Sequence, residues 1–146
     1  MNRLVIAAIG ISVIALLVAG CGDTATADIT KAQFIKRANA VCAKSKKERE
    51  AEIAAWEKKS GSKGGEDAFD RLLRQVVGPS LTDEAEELEA LPPPAQDAGR
   101  YERWIALLLR GSKILEEEGA KGIERFRVEE VERRAIALGI KNCAKL

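Results

Sequence analysis

The chain has 146 residues, 24 Lys+Arg against 23 Asp+Glu, and no histidine. Without residues 1–20, whose single charged side chain is Arg3, the balance is zero; this argues against a nucleic-acid partner, which favours a strongly basic face, and provides no global polybasic attraction to anionic lipid. The missing histidine removes the commonest general base and the commonest metal ligand, so triad, hydrolase and zinc-site chemistry fall away, and neither a metal nor a cofactor is expected.

Met1-Asn2-Arg3 is a short basic start, and Leu4 to Ala19 carries no charge, with only Gly10 and Ser12 diluting the apolar run. That is the layout of a secretory signal, and it falls a little short of the roughly 20 residues of a comfortable membrane span. Val18-Ala19-Gly20-Cys21 resembles the lipobox of bacterial lipoproteins. The resemblance implies that residues 1–20 are a cleaved signal peptide, that Cys21 carries diacylglycerol on its sulfur, and that a fatty acyl chain such as palmitate is often added to the new amino terminus. Small residues at Ala19 and Gly20 would let the protease approach the backbone. Each buried CH₂ contributes about 0.8 kcal/mol, so two or three acyl chains would hold the protein on the membrane almost permanently. An ordinary signal peptide cut elsewhere, or a signal anchor with a chance cysteine, is the alternative.

Residues 21–28 read as a lipidated tether and 29–146 as a helical domain. Gly22–Asp28 is small and polar and reaches at most about 25 Å. Helix formation is then signalled by Thr30 and Gln33 as a capping box, flanked by Ile29 and Phe34 as a hydrophobic staple. Phe34, Ala38, Val41, Cys42, Ser45, Arg49, Ile53 and Trp56 continue at helical spacing, predicting a helix to about Lys59. Lys44/Glu48 and Lys46/Glu50 are i,i+4 neighbours, so the KSKKERE run reads as a solvated face. With Cys21 given to lipid, two of the three cysteines remain in an exported chain. There disulfides persist, and the one available bridge is Cys42–Cys143, the alternative being two unpaired thiols.

Ser60–Gly65 is a loop by composition. Apolar residues recur from Phe69 through Leu72, Leu73, Val76, Val77, Leu81, Ala85 and Leu88 to Leu91, with their phase surviving Gly78-Pro79. This predicts one long helix kinked at the proline. The acidic run Asp83–Glu89 decorates that helix and reads as ordinary surface. Pro92-Pro93-Pro94 makes a stiff corner, and Asp97 can cap a helix to about Glu118 whose stripe contains Tyr101, Trp104, Ile105, Leu108, Leu109 and Leu115. Gly119 and Gly122 bracket a turn. Ile123, Phe126, Val131, Ala135 and Leu138 mark a last helix, with Glu129/Arg133 and Glu130/Arg134 as charge pairs, Gly139 as its C-cap and Ile140 packing just beyond.

Thr30–Cys42 (TKAQFIKRANAVC), Leu88–Asp97 (LEALPPPAQD), Tyr101 with Trp104, and Ala137–Cys143 (ALGIKNC) follow one order. That order resembles small exported helical proteins and lipoproteins of actinobacteria. The resemblance implies a helical fold, the Cys42–Cys143 bridge and an extracytoplasmic location, and it carries over no catalytic or binding residue. The glycine-rich Ser60–Gly65 stretch departs from the pattern.

The expected architecture is all-α: an antiparallel four-helix bundle with one proline-kinked helix and one disulfide. The expected role is a lipoprotein anchored through Cys21 to membrane lipid, on the outer face of the cytoplasmic membrane or the cell surface. It would be non-enzymatic and bind an envelope protein through a helical face. The alternative is a small-molecule or lipid carrier, with an apolar pocket between Trp56, Tyr101 and Trp104. An enzyme would have to work with Asp, Glu, Lys, Arg or Tyr alone.

Overall fold

A computed structural model describes residues 29–60 and 65–145. The signal segment, Cys21, the tether and most of the glycine-rich loop lie outside the described residues. Among the described residues the chain is all-helical, and no helix is long and apolar enough to cross a membrane.

The first helix, α1, is Lys31–Ser60. Its capping box forms in both directions: Gln33 N–H donates to Thr30 Oγ1 (3.2 Å) and Thr30 N–H donates to Gln33 Oε1 (3.0 Å). Phe34, Ala38, Cys42, Ser45 and Arg49 are buried in steps of three and four, one face of an α-helix. Beyond Arg49 the helix has only half-buried Ile53 and Trp56 facing the rest of the molecule.

The second arm is α2 (Glu66–Leu72), a π-helical turn at Leu73–Val77, and α3 (Gly78–Glu89), joined without a non-helical residue. Gly78 N–H donates to Leu73 O, a step of i to i−5. Pro79 has no N–H, and its ring would press on the carbonyl four residues earlier. The wider π turn falls immediately before that ring. Leu73, Val76, Leu81, Ala85 and Leu88 are buried along this arm, while Phe69, expected on the same stripe, is 47% exposed. At Gly78 a Cβ would stand 2.6 Å from Glu116 Cγ and 3.0 Å from Glu116 N; glycine lets this arm approach the next helix.

That next helix, α4 (Ala98–Glu118), is the centre of the core, with Tyr101, Trp104, Ile105, Leu108 and Leu115 buried. Tyr101 O–H donates to Leu88 O (2.6 Å), tying α4 to the last turn of α3, and Trp104 Nε1–H donates to Val131 O (3.1 Å). Asp97 occupies the N-cap position without using its side chain as a cap. Its carboxylate is drawn to Lys31 (2.9 Å) and Arg100 (3.6 Å) instead.

The last arm is broken where one helix was expected. A 3₁₀ turn at Gly119–Gly122 leads to α5 (Ile123–Phe126), then to Arg127 in the left-handed region (φ 54°), then to α6 (Val128–Leu138). The break turns Phe126 inward and leaves Ile123 40% exposed. Gly139 (φ 87°) ends α6, with Ile140 N–H on Ala135 O at 2.9 Å. Ile140 is fully buried beyond it, and the 3₁₀ turn Lys141–Ala144 carries Cys143 back to α1.

Phe126 fills the space a side chain at position 111 would need: a Cβ on Gly111 would lie 1.9 Å from its ring. Gly111→Ala is expected to destabilise the fold by about 1–3 kcal/mol through overpacking. Gly99 meets only the flexible tip of Arg103, at 3.4 Å. Gly99→Ala should therefore be neutral or stabilising by up to about 1 kcal/mol. Urea unfolding of the two variants side by side checks the contrast.

Candidate functional site

The chemically distinctive place in the described molecule is where α1, α3 and the carboxyl-terminal turn meet. Cys42 and Cys143 come to disulfide distance there, Cα atoms 5.1 Å apart across 101 residues of chain. The turn is aligned by two asparagines: Asn142 N–H donates to Asn39 Oδ1 (2.8 Å) and Asn142 Nδ2–H to Asn39 O (3.1 Å). Beside the sulfurs lies an ion pair, with Arg49 Nη1 3.0 Å from Glu84 Oε2 and side-chain exposures of 8% and 1%.

Glu84 departs from the sequence expectation, which read the carboxylates of the Asp83–Glu89 run as ordinary surface. Leu81, Ala85 and Leu88 are buried on α3, and position 84 points the same way, three residues after Leu81 and four before Leu88. Arg49 likewise extends the Cys42–Ser45 face of α1, so it leaves the solvated side on which the other charged residues of KSKKERE sit. Each helix thus contributes one charge to an otherwise apolar seam, and the two cancel.

A sulfur from each of Cys42 and Cys143 and a carboxylate oxygen of Glu84 lie within 4.8 Å of one another. Three such atoms could hold a cation only if each were available. Here the sulfurs are within bonding distance of each other and the carboxylate accepts from Arg49. With both cysteines 1% exposed, the cluster is closed to an outside reactant and acts as a clamp between helices.

Burial pushes the Glu84 carboxyl above its ordinary value of 4.5, and the opposing pull of Arg49 does not fully offset it. Between pH 4.5 and the raised value the folded state therefore keeps a proton that the unfolded chain has released. Glu84's contribution to stability is fully present below pH 4.5 and declines as pH rises through the raised value. Asp70 and Glu130 work in the other sense. A hydrogen bond from Arg74, then one from Ala120 N–H, lowers Asp70, and a hydrogen bond from Arg134 lowers Glu130. Their contributions are present above the ordinary carboxyl values and lost as pH falls. Urea unfolding across the acid-to-neutral range should show the decline above pH 4.5 in the wild type and not in Glu84→Gln.

The three aromatic side chains proposed to line a pocket are only partly brought together. Tyr101 and Trp104 pack at 5.6 Å between centroids, with the Phe34 ring edge-on to Tyr101 at 4.8 Å, and both are core residues. Trp56 lies on α1 six turns beyond Phe34, about 33 Å along the axis, and does not join them. Of the expected surface pairs, Lys44–Glu48 and Lys46–Glu50 stand at 4.0 Å. Glu130 binds both Arg134 and Arg127, the latter supplied by the left-handed residue that opens α6.

A second polar cluster, not anticipated from sequence, fastens α2 to the end of α4. Arg74 donates from Nε to Asp70 Oδ2 (2.7 Å) and from Nη1 to the Glu116 and Glu117 carbonyls. A cation is favourable at such a carboxyl-terminal end. Ala120 N–H donates to Asp70 Oδ1 at 3.0 Å, and Gly119 (φ 59°) makes room, since a Cβ there would fall 2.1 Å from that oxygen. Comparison of the chain with protein-family models, with curated proteins and with solved structures finds no match.

Proposed function

We propose that the protein is a lipid-anchored, extracytoplasmic, non-enzymatic lipoprotein whose helical bundle binds another envelope protein. The observation that carries this reading is the meeting of Cys42 with Cys143 across 101 residues. Such a pair suits an oxidising compartment, and with these two sulfurs engaged Cys21 is available for diacylglycerol and fatty acyl. The actinobacterial resemblance and the signal-like amino terminus point the same way. Cys21→Ala is expected to release the protein from membranes or to leave the precursor uncut; unchanged processing and attachment would reject the anchor. Crosslinking in cells followed by mass spectrometry tests the binding role, and the absence of a reproducible protein partner would count against it.

The arms are further read as alternating in direction, with the second bending at Gly78-Pro79. Supporting this, the first residue of α1 pairs with Asp97 at the start of α4, and the end of α6 reaches the same place through Arg100 on Ala137 O (3.2 Å). The carrier alternative loses ground because Tyr101 and Trp104 are packed within the core and Trp56 is remote from them.

A further inference from the structure

Three arginines from two helices line one recess. Arg100, Arg103 and Arg134, with Ala137 and Leu138, surround about 130 Å³ between the start of α4 and the end of α6. Arg100 is bound to Asp97, and Asp97 to Lys31, the first residue of α1. The recess therefore belongs to the end of the bundle at which the chain from Cys21 arrives. We propose that it binds the phosphate groups of anionic phospholipid in the membrane carrying the chain, so that the bundle is seated on this end.

The argument is one of charge and reach. Lys31, Arg100, Arg103 and Arg134 are offset here by Asp97 and Glu130, so this flank remains positive although the domain is balanced overall. Guanidinium groups bind phosphate oxygens through paired N–H donors. Gly22–Asp28 spans no more than about 25 Å. The field of an anionic leaflet decays within about 8–10 Å, so only the end nearest the anchor experiences it. The acidic recess of Glu48, Glu52, Asp83, Glu86 and Glu87 opens elsewhere. Lys44, bonded to Glu87, lies about 20 Å along α1 from Lys31. Glu89 and Glu102 flank Tyr101 on the α3 side, which assigns the contact to the α4–α6 flank.

This seating rests on the Cys21 anchor, and one experiment separates the two. The mature chain is purified from membranes, reconstituted into phosphatidylcholine vesicles with or without phosphatidylglycerol, and treated with phenylglyoxal, arginine modification being read by mass spectrometry. Arg100, Arg103 and Arg134 should be protected only on the phosphatidylglycerol vesicles, with Arg71 on α2 equally reactive on both. Each cation near an anionic surface is worth about a factor of five, so Arg100→Gln, Arg103→Gln and Arg134→Gln together should weaken the contact on the order of 100-fold. In that triple variant, the added protection of Ala137 and Leu138 amides from hydrogen exchange on the same vesicles should disappear. Equal reactivity of the three arginines on both vesicles overturns the proposal, as does equal protection by inorganic phosphate without vesicles. The mass of the amino-terminal peptide reports the anchor independently: a lipid-free Cys21 accompanied by phosphatidylglycerol-dependent protection would remove the anchor and support the recess.

Discussion

Arg49→Met should lower the free energy of unfolding by about 3–5 kcal/mol, because it strands a buried carboxylate without its counter-charge. Glu84 is 1% exposed at its side chain and has Arg49 at 3.0 Å, so water cannot replace the lost partner without opening the α1–α3 seam. The protein's escape is to protonate Glu84, and the stability of Arg49→Met should accordingly recover toward acid pH more than that of the wild type. Combining Arg49→Met with Glu84→Leu is expected to restore most of the loss, since well-packed apolar groups often equal or exceed a buried ion pair. Urea unfolding of the singles and the double, read as a cycle, is the measurement. A double variant as unstable as Arg49→Met would mean that packing volume, not charge, governs the seam.

Reduction should be of comparable size. Joining two residues about 100 apart removes roughly 4.7 kcal/mol of unfolded-chain entropy, and Cys42 and Cys143 are separated by 101 residues. Cys143→Ser is expected to cost several kcal/mol on this basis, plus the penalty of a hydroxyl where Cys143 is 1% exposed. Adding reductant to the wild type should reproduce most of the effect and leave Cys143→Ser unchanged. The tail would retain Asn142 on Asn39 and Ile140 in the core, so unfolding should remain cooperative. Equal midpoints with and without reductant would show that those contacts suffice.

The features legible in the sequence were those fixed by neighbours or by elimination. Thr30 and Gln33 are three residues apart and needed no distant partner, and Gly139 needed only its own φ. Cys42 and Cys143 were paired because nothing else remained once Cys21 was assigned elsewhere. Asp97 failed as a side-chain cap for the opposite reason: Lys31, from another helix, competes for its carboxylate. Glu84 was concealed by the acids around it, although its offsets from Leu81 and Leu88 place it on the buried face. A charge on each of two apolar stripes, Arg49 and Glu84, was the available signal. The gap of five between Phe126 and Val131 was the corresponding warning of the break at Arg127. The π turn has no comparable mark beyond the proline that follows it. Trp56 shared a helical stripe with Phe34, but shared phase says nothing of height, and six turns of α1 separate them.

Tyr101 is the chain's one tyrosine, its hydroxyl is committed to Leu88 O, and burial, with a smaller push from Glu89, drives its ionisation well upward. The ultraviolet band of the phenolate thus becomes a reporter with no background from other phenols. In strong alkali that absorbance should emerge not as an ordinary titration but in step with parting of α3 from α4, so a spectrophotometer alone can time when the centre of the molecule comes apart.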